Sequence, residues 1–204
     1  MRRIGVLGLM CAAAAALAVA APASGQNFSE GYEFLKAVKE RKGTEAMDAL
    51  NRPGSTVVNA RDIATGESAL HVVTQRRDAT WLRFLIGKGA NVNLVDKRGV
   101  TPLQLATNLG WAEGVEILVG ARATVDLTNH AGETPLISAV HRRDAALVRA
   151  LLKAGADPER SDNSGRSARD YAELLGSQGA ILAELDQARE ARKANAAKTY
   201  GPGV

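Results

Sequence analysis

The sequence predicts an all-α solenoid of about five helix-turn-helix units joined by short hairpin-like turns, and three observations support this prediction. A six-residue slot recurs at an interval of 33 residues, beginning at Ser68, Thr101, Thr134 and Ser167. A glycine stands two residues before every slot. Aromatic residues make up only 4% of the 204 residues, which suits short helices that pack through alanine, leucine and valine. A strict period of this length is typical of stacked repeats, in which each unit is covered by its neighbours.

Each slot contains the residues that begin a helix. Thr101 and Thr134 offer an N-cap hydroxyl, and a proline follows each of them at the first helical position, where a missing N–H is harmless. Ser68 and Ser167 are chemically equivalent caps. The second helices are predicted at residues 79–86, 112–119 and 145–152. Each of these ends in paired apolar residues followed by glycine and alanine, which permit the left-handed turn that ends a helix.

These signals divide the chain into seven segments. A signal peptide is predicted first, followed by a divergent repeat that serves as an N-terminal cap, three full units, a C-terminal capping repeat and a flexible tail. The predicted bounds, in that order, are 1–25, 26–62, 63–95, 96–128, 129–161, 162–193 and 194–204.

The first segment has the order of parts that a secretory signal requires. Residues 1–3 carry two arginines, residues 4–21 are apolar, and small residues follow, so we expect cleavage near Ala23 to Gly25. A retained N-terminal anchor is the alternative, but a polar pair follows abruptly and alanine contributes little membrane affinity. We therefore expect a periplasmic or secreted protein without stable membrane insertion after cleavage.

Cysteine and charge restrict the chemistry of the chain. The only cysteine, Cys11, lies in the predicted signal, so the mature chain would have no disulfide and no thiol catalysis. The chain has 26 Lys and Arg against 22 Asp and Glu, and removal of Arg2 and Arg3 leaves 24 against 22, a formal charge of +2. This mild charge gives no reason to expect nucleic acid as a partner.

Four features recur together: Gly-x-Thr-Pro-Leu, a small residue at the sixth position of the slot, a second helix that ends in Leu-Leu, and a closing Gly-Ala-Asp or Gly-Ala-Asn. This combination resembles the ankyrin repeat, and the resemblance covers most of residues 28–189. The resemblance implies an elongated, curved stack whose turn tips and first helices line a concave face that binds other proteins. It implies no reaction and names no partner.

The units depart from the family pattern at a few positions. His71 keeps the histidine that follows the leucine, and we expect it to be a buried hydrogen-bonding residue, whereas Gln104 and Ile137 replace it in the next two units. Arg77 and Arg143 replace the usual glycine between the two helices. Trp81, in contrast, occupies a position that is apolar in its neighbours and is expected in the core.

The variable positions at the turn tips and at the ends of the first helices are the candidate binding surface. Two arginine pairs lie twice the repeat length apart and flank Trp111, which we expect to lean toward solvent. Arginine and tryptophan dominate interface energetics, so we expect this edge to dock an acidic or carboxylate-rich surface of another protein. The alternative is that the arginines are solvated and that Trp111 packs on the next unit. The predicted partner-binding residues are Arg76, Arg77, Lys97, Arg98, Asn108, Leu109, Trp111, His130, Glu133, His141, Arg142 and Arg143.

No motif for chemistry is apparent in the sequence. His130 and His141 lie in one unit, but no third residue completes a metal-ligand spacing. There is no nucleophile elbow and no phosphate-binding glycine loop. A Ser-His-Asp set is recognised by geometry rather than by order, so an enzyme stays an alternative that would require a deep pocket with perturbed titratable groups. We expect no catalytic residue, no cofactor and no metal.

The sequence thus predicts a monomeric, non-catalytic protein-protein interaction module of the bacterial envelope. An inhibitor or immunity protein that blocks an exported enzyme is the alternative.

Overall fold

The structure, a computed structural model, describes residues 29–176 and 179–199. Within these ranges the chain forms α-helices, one short 3-10 helix at Val57–Asn59 and isolated bridges, and no named strand. The predicted all-α solenoid is confirmed. The helices are α1 Glu30–Lys39, α2 Gly43–Asn51, α3 Ala69–Gln75, α4 Ala79–Gly87, α5 Pro102–Asn108, α6 Ala112–Gly120, α7 Pro135–His141, α8 Ala145–Lys153, α9 Ala168–Leu174 and α10 Gly179–Thr199.

The first helix of each middle unit begins at the predicted cap. The hydroxyl of Thr101 accepts the amide of Gln104 (3.1 Å), and the hydroxyl of Thr134 accepts the amide of Ile137 (3.2 Å). Each bond satisfies one of the amides that a helix start leaves without a partner. The proline after each threonine lies inside the first turn, as predicted.

The second helices follow after a tight left-handed turn and run one residue further than predicted. Arg77 and Arg143 adopt φ of 55° at this turn, where Gly110 of the intervening unit has φ of 67°. A left-handed conformation is unfavourable for a residue with a Cβ, so the two arginines occupy a position that glycine would fill without strain.

The units stack first helix on first helix and second helix on second helix. Leucines at equivalent positions, such as Leu85, Leu118 and Leu151, are completely buried. A single hydrophobic cluster extends from Phe34 to Leu185. Each unit therefore buries its apolar side against its neighbours, which is the basis of stability in a repeat stack.

The turns between units form four short hairpins that we call fingers: residues 62–67, 96–100, 129–133 and 162–166. The amide of Lys97 donates to the carbonyl of Thr65 (2.9 Å), and the amide of His130 donates to the carbonyl of Arg98 (2.9 Å). Asn163 continues the series by donating to Ala131 (3.1 Å). The fingers are therefore joined side by side through backbone hydrogen bonds.

The C-terminal end differs from the expected flexible tail. Helix α10 runs to Thr199, so residues 194–199 of the predicted tail are helical, and residues 200–204 lie outside the described residues. Ile181 and Leu185 are buried against the stack, as expected of a capping helix. The predicted signal peptide also lies outside the described residues. None of the helices that are described combines the length and the hydropathy needed to cross a membrane.

Candidate protein-binding surface

The fingers and the first helices line up along the stack, and we call their exposed side the finger face. The fingers are fixed to each other by amide-to-carbonyl bonds, and α3, α5 and α7 pack in succession. Side chains at equivalent positions are therefore presented at regular intervals on a fixed scaffold. The exposed members of the predicted binding set on this face are Lys97, Arg98, Asn108, His130 and His141.

Lys97 and Arg98 are neighbours on the second finger but have different surroundings. The guanidinium of Arg98 pairs with the carboxylate of Asp96 at 3.1 Å. Burial raises the pKa of Asp96, but hydrogen bonds from the amides of Val100 and Arg98 outweigh that effect and bring the pKa below its usual value. The charge of Arg98 is thus partly compensated within the chain. Lys97 makes no ion pair with a described residue and is the more available cation.

Arg76 and Arg142 reach back to the preceding unit. The Nη1 of Arg76 donates to the carbonyl of Val38 (2.6 Å), and the Nη1 of Arg142 donates to the carbonyl of Asn108 (2.8 Å). Both acceptors lie in the last turn of a first helix, where carbonyl groups lack helical partners and carry the negative end of the helix dipole. These arginines therefore tie neighbouring units together.

Arg77 and Arg143 reach forward to the following unit in the same way. The Nη2 of Arg77 donates to the carbonyl of Leu109 (2.5 Å), and the Nη2 of Arg143 donates to the carbonyl of Leu175 (3.0 Å). The two arginine pairs are separated by twice the repeat length because the arginines of the second and fourth units bind helix ends of the first, third and fifth units. The arginine head groups are thus engaged within the chain, although three of the four side chains are exposed.

Trp111 does not lean toward solvent, so that expectation is wrong. Its exposed fraction is only 8%. The residue precedes α6, and its ring lies on Gly114, where an added Cβ would overlap the ring. Leu109 is half-buried, and Glu133 is half-buried with its carboxylate accepting the side-chain amide of Asn129 (2.9 Å). The tryptophan is therefore a packing residue and is unavailable to a partner.

The helix pairs, the fingers and the helix-end turns are the parts of one known repeat. Residues 34–129 match a family model described as ankyrin repeats in three copies, and residues 120–172 match a second model described as ankyrin repeats in many copies. The chain belongs to the ankyrin repeat family. Ankyrin repeats indicate a protein-protein interaction module, and the family is typically non-catalytic.

Two relatives show how far the similarity extends. A stretch of 50 residues is 48% identical to the Nuclear factor NF-kappa-B p110 subunit of Drosophila melanogaster, and it covers 24% of this chain and 5% of that protein. Over 153 residues the chain is 33% identical to an ankyrin repeat-containing protein of Treponema pallidum (strain Nichols), which covers 70% of this chain and 40% of that protein. The matches thus span less than half the length of either relative.

The histidine position of the ankyrin repeat is buried, as predicted for His71. Its exposed fraction is 1%, its Nδ1 accepts the amide of Ser68 (3.1 Å), and its Nε2 lies 2.9 Å from the carbonyl of Val100. Burial lowers the pKa of His71 despite this carbonyl and the nearby carboxylates of Asp96 and Glu67. The imidazole of His71 is therefore neutral, and in this form it joins its own unit to the finger of the next unit.

The other two histidines are exposed on the finger face. The ring of His141 packs on the ring of Tyr171 with centroids 4.4 Å apart. Among the described residues there is no group of three His, Cys, Asp or Glu side chains that could hold a metal ion. Trp81, which was expected in the core, is only half-buried: it packs against the core and makes an edge-to-face contact to Phe84 at 5.2 Å.

Sequence reasoning did not identify four apolar side chains of the ankyrin stack as exposed. Tyr32, Met47 and Ile63 lie toward its N-terminal end, and Leu174 lies near its C-terminal end. The sequence contained a signal for the exposure of Ile63, because the segment that enters the second unit is longer than the equivalent segments of the other units. No signal identified Leu174, because leucine near the end of a first helix also fits a core position.

Proposed function

We propose that this ankyrin-repeat chain is a monomeric, non-catalytic protein-binding module of the bacterial envelope that contacts its partner through the finger face. The observation that carries the proposal is the series of fingers joined by backbone hydrogen bonds, with Lys97 and His130 exposed at successive tips. Such a surface is fixed before binding, which reduces the ordering cost of association. The sequence of residues 1–25 supports export to the periplasm or beyond the cell.

The proposed partner has an acidic surface where it meets the fingers. Lys97 has no carboxylate partner among the described residues, and Arg98 projects with 74% of its side chain exposed. Complementary charge at the rim of an interface mainly accelerates association and adds salt dependence. Arg76, Arg77, Arg142 and Arg143 are left out of the proposed contact because they already cap helix ends.

The test is capture of a partner from an envelope fraction by the tagged chain and by two charge-reversal variants. Lys97→Glu is expected to reduce capture about tenfold at low salt. Lys153→Glu reverses an exposed lysine at the end of a second helix, away from the fingers, and is expected to leave capture unchanged. Equal capture by both variants and the wild-type chain would remove the acidic-partner proposal.

A further inference from the structure

A pocket of about 580 Å³ lies at the N-terminal end of the finger face, between α1 and the segment that leads into the first finger. Most of its lining surface is apolar and comes from Tyr32, Leu35, Ala60, Ile63 and Ala64. A cavity of this size is large enough for a small ligand or for one or two side chains of a peptide.

The first finger is longer than the others, and this difference exposes Ile63. The amide of Asp62 donates to the carbonyl of Glu67 (2.8 Å), five residues on, whereas the amide of Asp96 donates to the carbonyl of Val100 (2.9 Å), four residues on. The carboxylate of Asp62 accepts two successive amides at the tip and so holds the additional residue in place. Ile63 is 87% exposed, the largest fraction among the exposed large apolar residues that are described.

The pocket also lies where the series of joined fingers ends. In the part of the chain that the structure describes, no finger precedes the first one. Ala64 occupies the position equivalent to Lys97 and His130, which donate their amides to the preceding finger. The amide of Ala64 turns inward to the carboxylate of Asp62 instead (2.8 Å).

Both carboxylates that line the pocket are compensated within the chain. The carboxylate of Asp62 pairs with Lys39 at 2.5 Å, and this hydrogen bond is the main reason that the pKa of Asp62 falls to about 2. Glu40 pairs with Lys42 at 3.0 Å. Neither carboxylate is therefore left to oppose an incoming anion.

Two cations of the pocket make no ion pair with a carboxylate among the described residues. The guanidinium of Arg61 donates to the carbonyls of Gly66 (3.1 Å) and Val95 (2.5 Å), which fix its position and leave its charge uncompensated. Lys36 is exposed at the rim and makes no ion pair within the described ranges. The pocket thus combines an apolar floor with a rim that favours a negative group.

We propose that this pocket receives an extended segment of the partner protein in which a bulky aliphatic side chain stands beside an aspartate or glutamate. The aliphatic side chain packs between Tyr32, Leu35 and Ile63, and the carboxylate meets Lys36 and Arg61. This inference rests on the proposed function, because it assigns a chemistry to the segment of the partner that contacts the finger face.

Three blocked heptapeptides provide the probe. The first is Gly-Ser-Asp-Leu-Glu-Ser-Gly, the second replaces its leucine with serine, and the third replaces both acidic residues with lysine. Each is titrated into the full chain labelled with ¹⁵N, and the backbone amide shifts are followed. The first peptide is expected to shift the amides of Ile63 and Ala64 and to bind at least about tenfold more tightly than the other two, a difference of about 1.4 kcal/mol.

Matched variants assign the binding to the pocket. Ile63→Asp and Lys36→Glu are each expected to weaken binding of the first peptide about tenfold or more. Leu174→Asp and Lys153→Glu alter an exposed leucine and an exposed lysine elsewhere on the chain and are expected to leave it unchanged. Equal binding of the three peptides, no binding of any, or undiminished binding to Ile63→Asp would overturn the proposal. A tighter response to decanoate than to any peptide would assign the pocket to an amphipathic lipid and would overturn it as well.

Failure of the pocket can be distinguished from failure of the proposed function. If the wild-type chain captures a partner from the envelope fraction and none of the peptides binds, only the pocket proposal fails. If the first peptide binds as expected and no envelope protein is captured, the envelope function fails and the pocket stands.

Discussion

His71 and Gln104 make equivalent hydrogen bonds between neighbouring units, one through an imidazole and the other through a side-chain amide. The Nε2 of His71 lies 2.9 Å from the carbonyl of Val100, and the side-chain amide of Gln104 donates to the carbonyl of Glu133 (3.0 Å). Each bond joins a first helix to the finger of the following unit. Because the Nδ1 of His71 accepts a backbone amide, its proton resides on Nε2, which donates to the carbonyl.

Replacement of His71 by glutamine is expected to remove one source of acid sensitivity while keeping the bond. Burial lowers the pKa of His71 below its usual value of 6.5. The unfolded chain then binds more protons than the folded chain, so the stabilisation is complete above about pH 6.5 and is lost as the pH falls toward the folded-state pKa. Urea unfolding at pH 7.5 and pH 5 should show a larger loss of unfolding free energy for the wild-type chain than for His71→Gln. An equal loss would contradict the neutral, buried state of this histidine.

Gly114 is a second residue whose role depends on a neighbour in space. Glycine inside a helix is unfavourable by about 1 kcal/mol relative to alanine, yet Gly114 lies within α6 beneath the ring of Trp111. Gly114→Ala is therefore expected to destabilise the chain by about 1–3 kcal/mol, because the ring must move. Gly120→Ala in the same helix meets open space and is expected to be neutral or stabilising. Urea unfolding of the two variants measures the difference, and a stabilising Gly114→Ala would contradict the packing of Trp111.

At the scale of the helices, the arginine ties determine how strongly neighbouring units are coupled. Arg76 retains only 16% of its side-chain exposure, while Arg142 is exposed. A charged hydrogen bond contributes about 1.5–3 kcal/mol when it is shielded from water and about 1 kcal/mol or less when it is exposed. The tie made by Arg76 between the first two units is therefore expected to be stronger than the tie made by Arg142.

Arg76→Met keeps the apolar stem and removes the donors to Val38. Amides of α1 are expected to exchange faster with solvent in this variant, with a loss of local protection of about 1.5–3 kcal/mol. Arg142→Met serves as the matched change and should alter the protection of α5 by about 1 kcal/mol or less. Native-state hydrogen exchange measures both, and unchanged protection of α1 in Arg76→Met would refute the coupling role.

The sequence predicts the helices better than it predicts the direction of their side chains. Thr101 and Thr134 predict the starts of helices correctly because capping depends only on residues within one turn. The burial of Trp111 depends on Gly114 and on the neighbouring core, so its place between the two arginine pairs led to a wrong prediction for the ring. The arginine ties connect residues more than 30 positions apart, and no local pattern predicts them. Residues 194–199 of α10 had a local signal, since three alanines and a lysine in this stretch favour helix.

At the scale of the whole molecule, the stack is the support and its finger face is the proposed binding surface. The buried leucines and the joined fingers fix the positions of Lys97 and His130, and neither side chain belongs to the hydrophobic core. The outer surface of the second helices carries residues such as Glu116, which is also exposed. If the partner binds through the fingers, we expect it to contact the finger face and not the outer surface of the second helices.

The most direct measurement places a photo-crosslinking amino acid at Lys97, at His130 and, as the control, at Glu116. The tagged full chain is irradiated in its native envelope fraction, and adducts are resolved by mass. The account predicts one common adduct from the two finger positions and none from Glu116. Adducts from Glu116 alone, or no adduct from any position, would contradict a protein-binding role for the finger face.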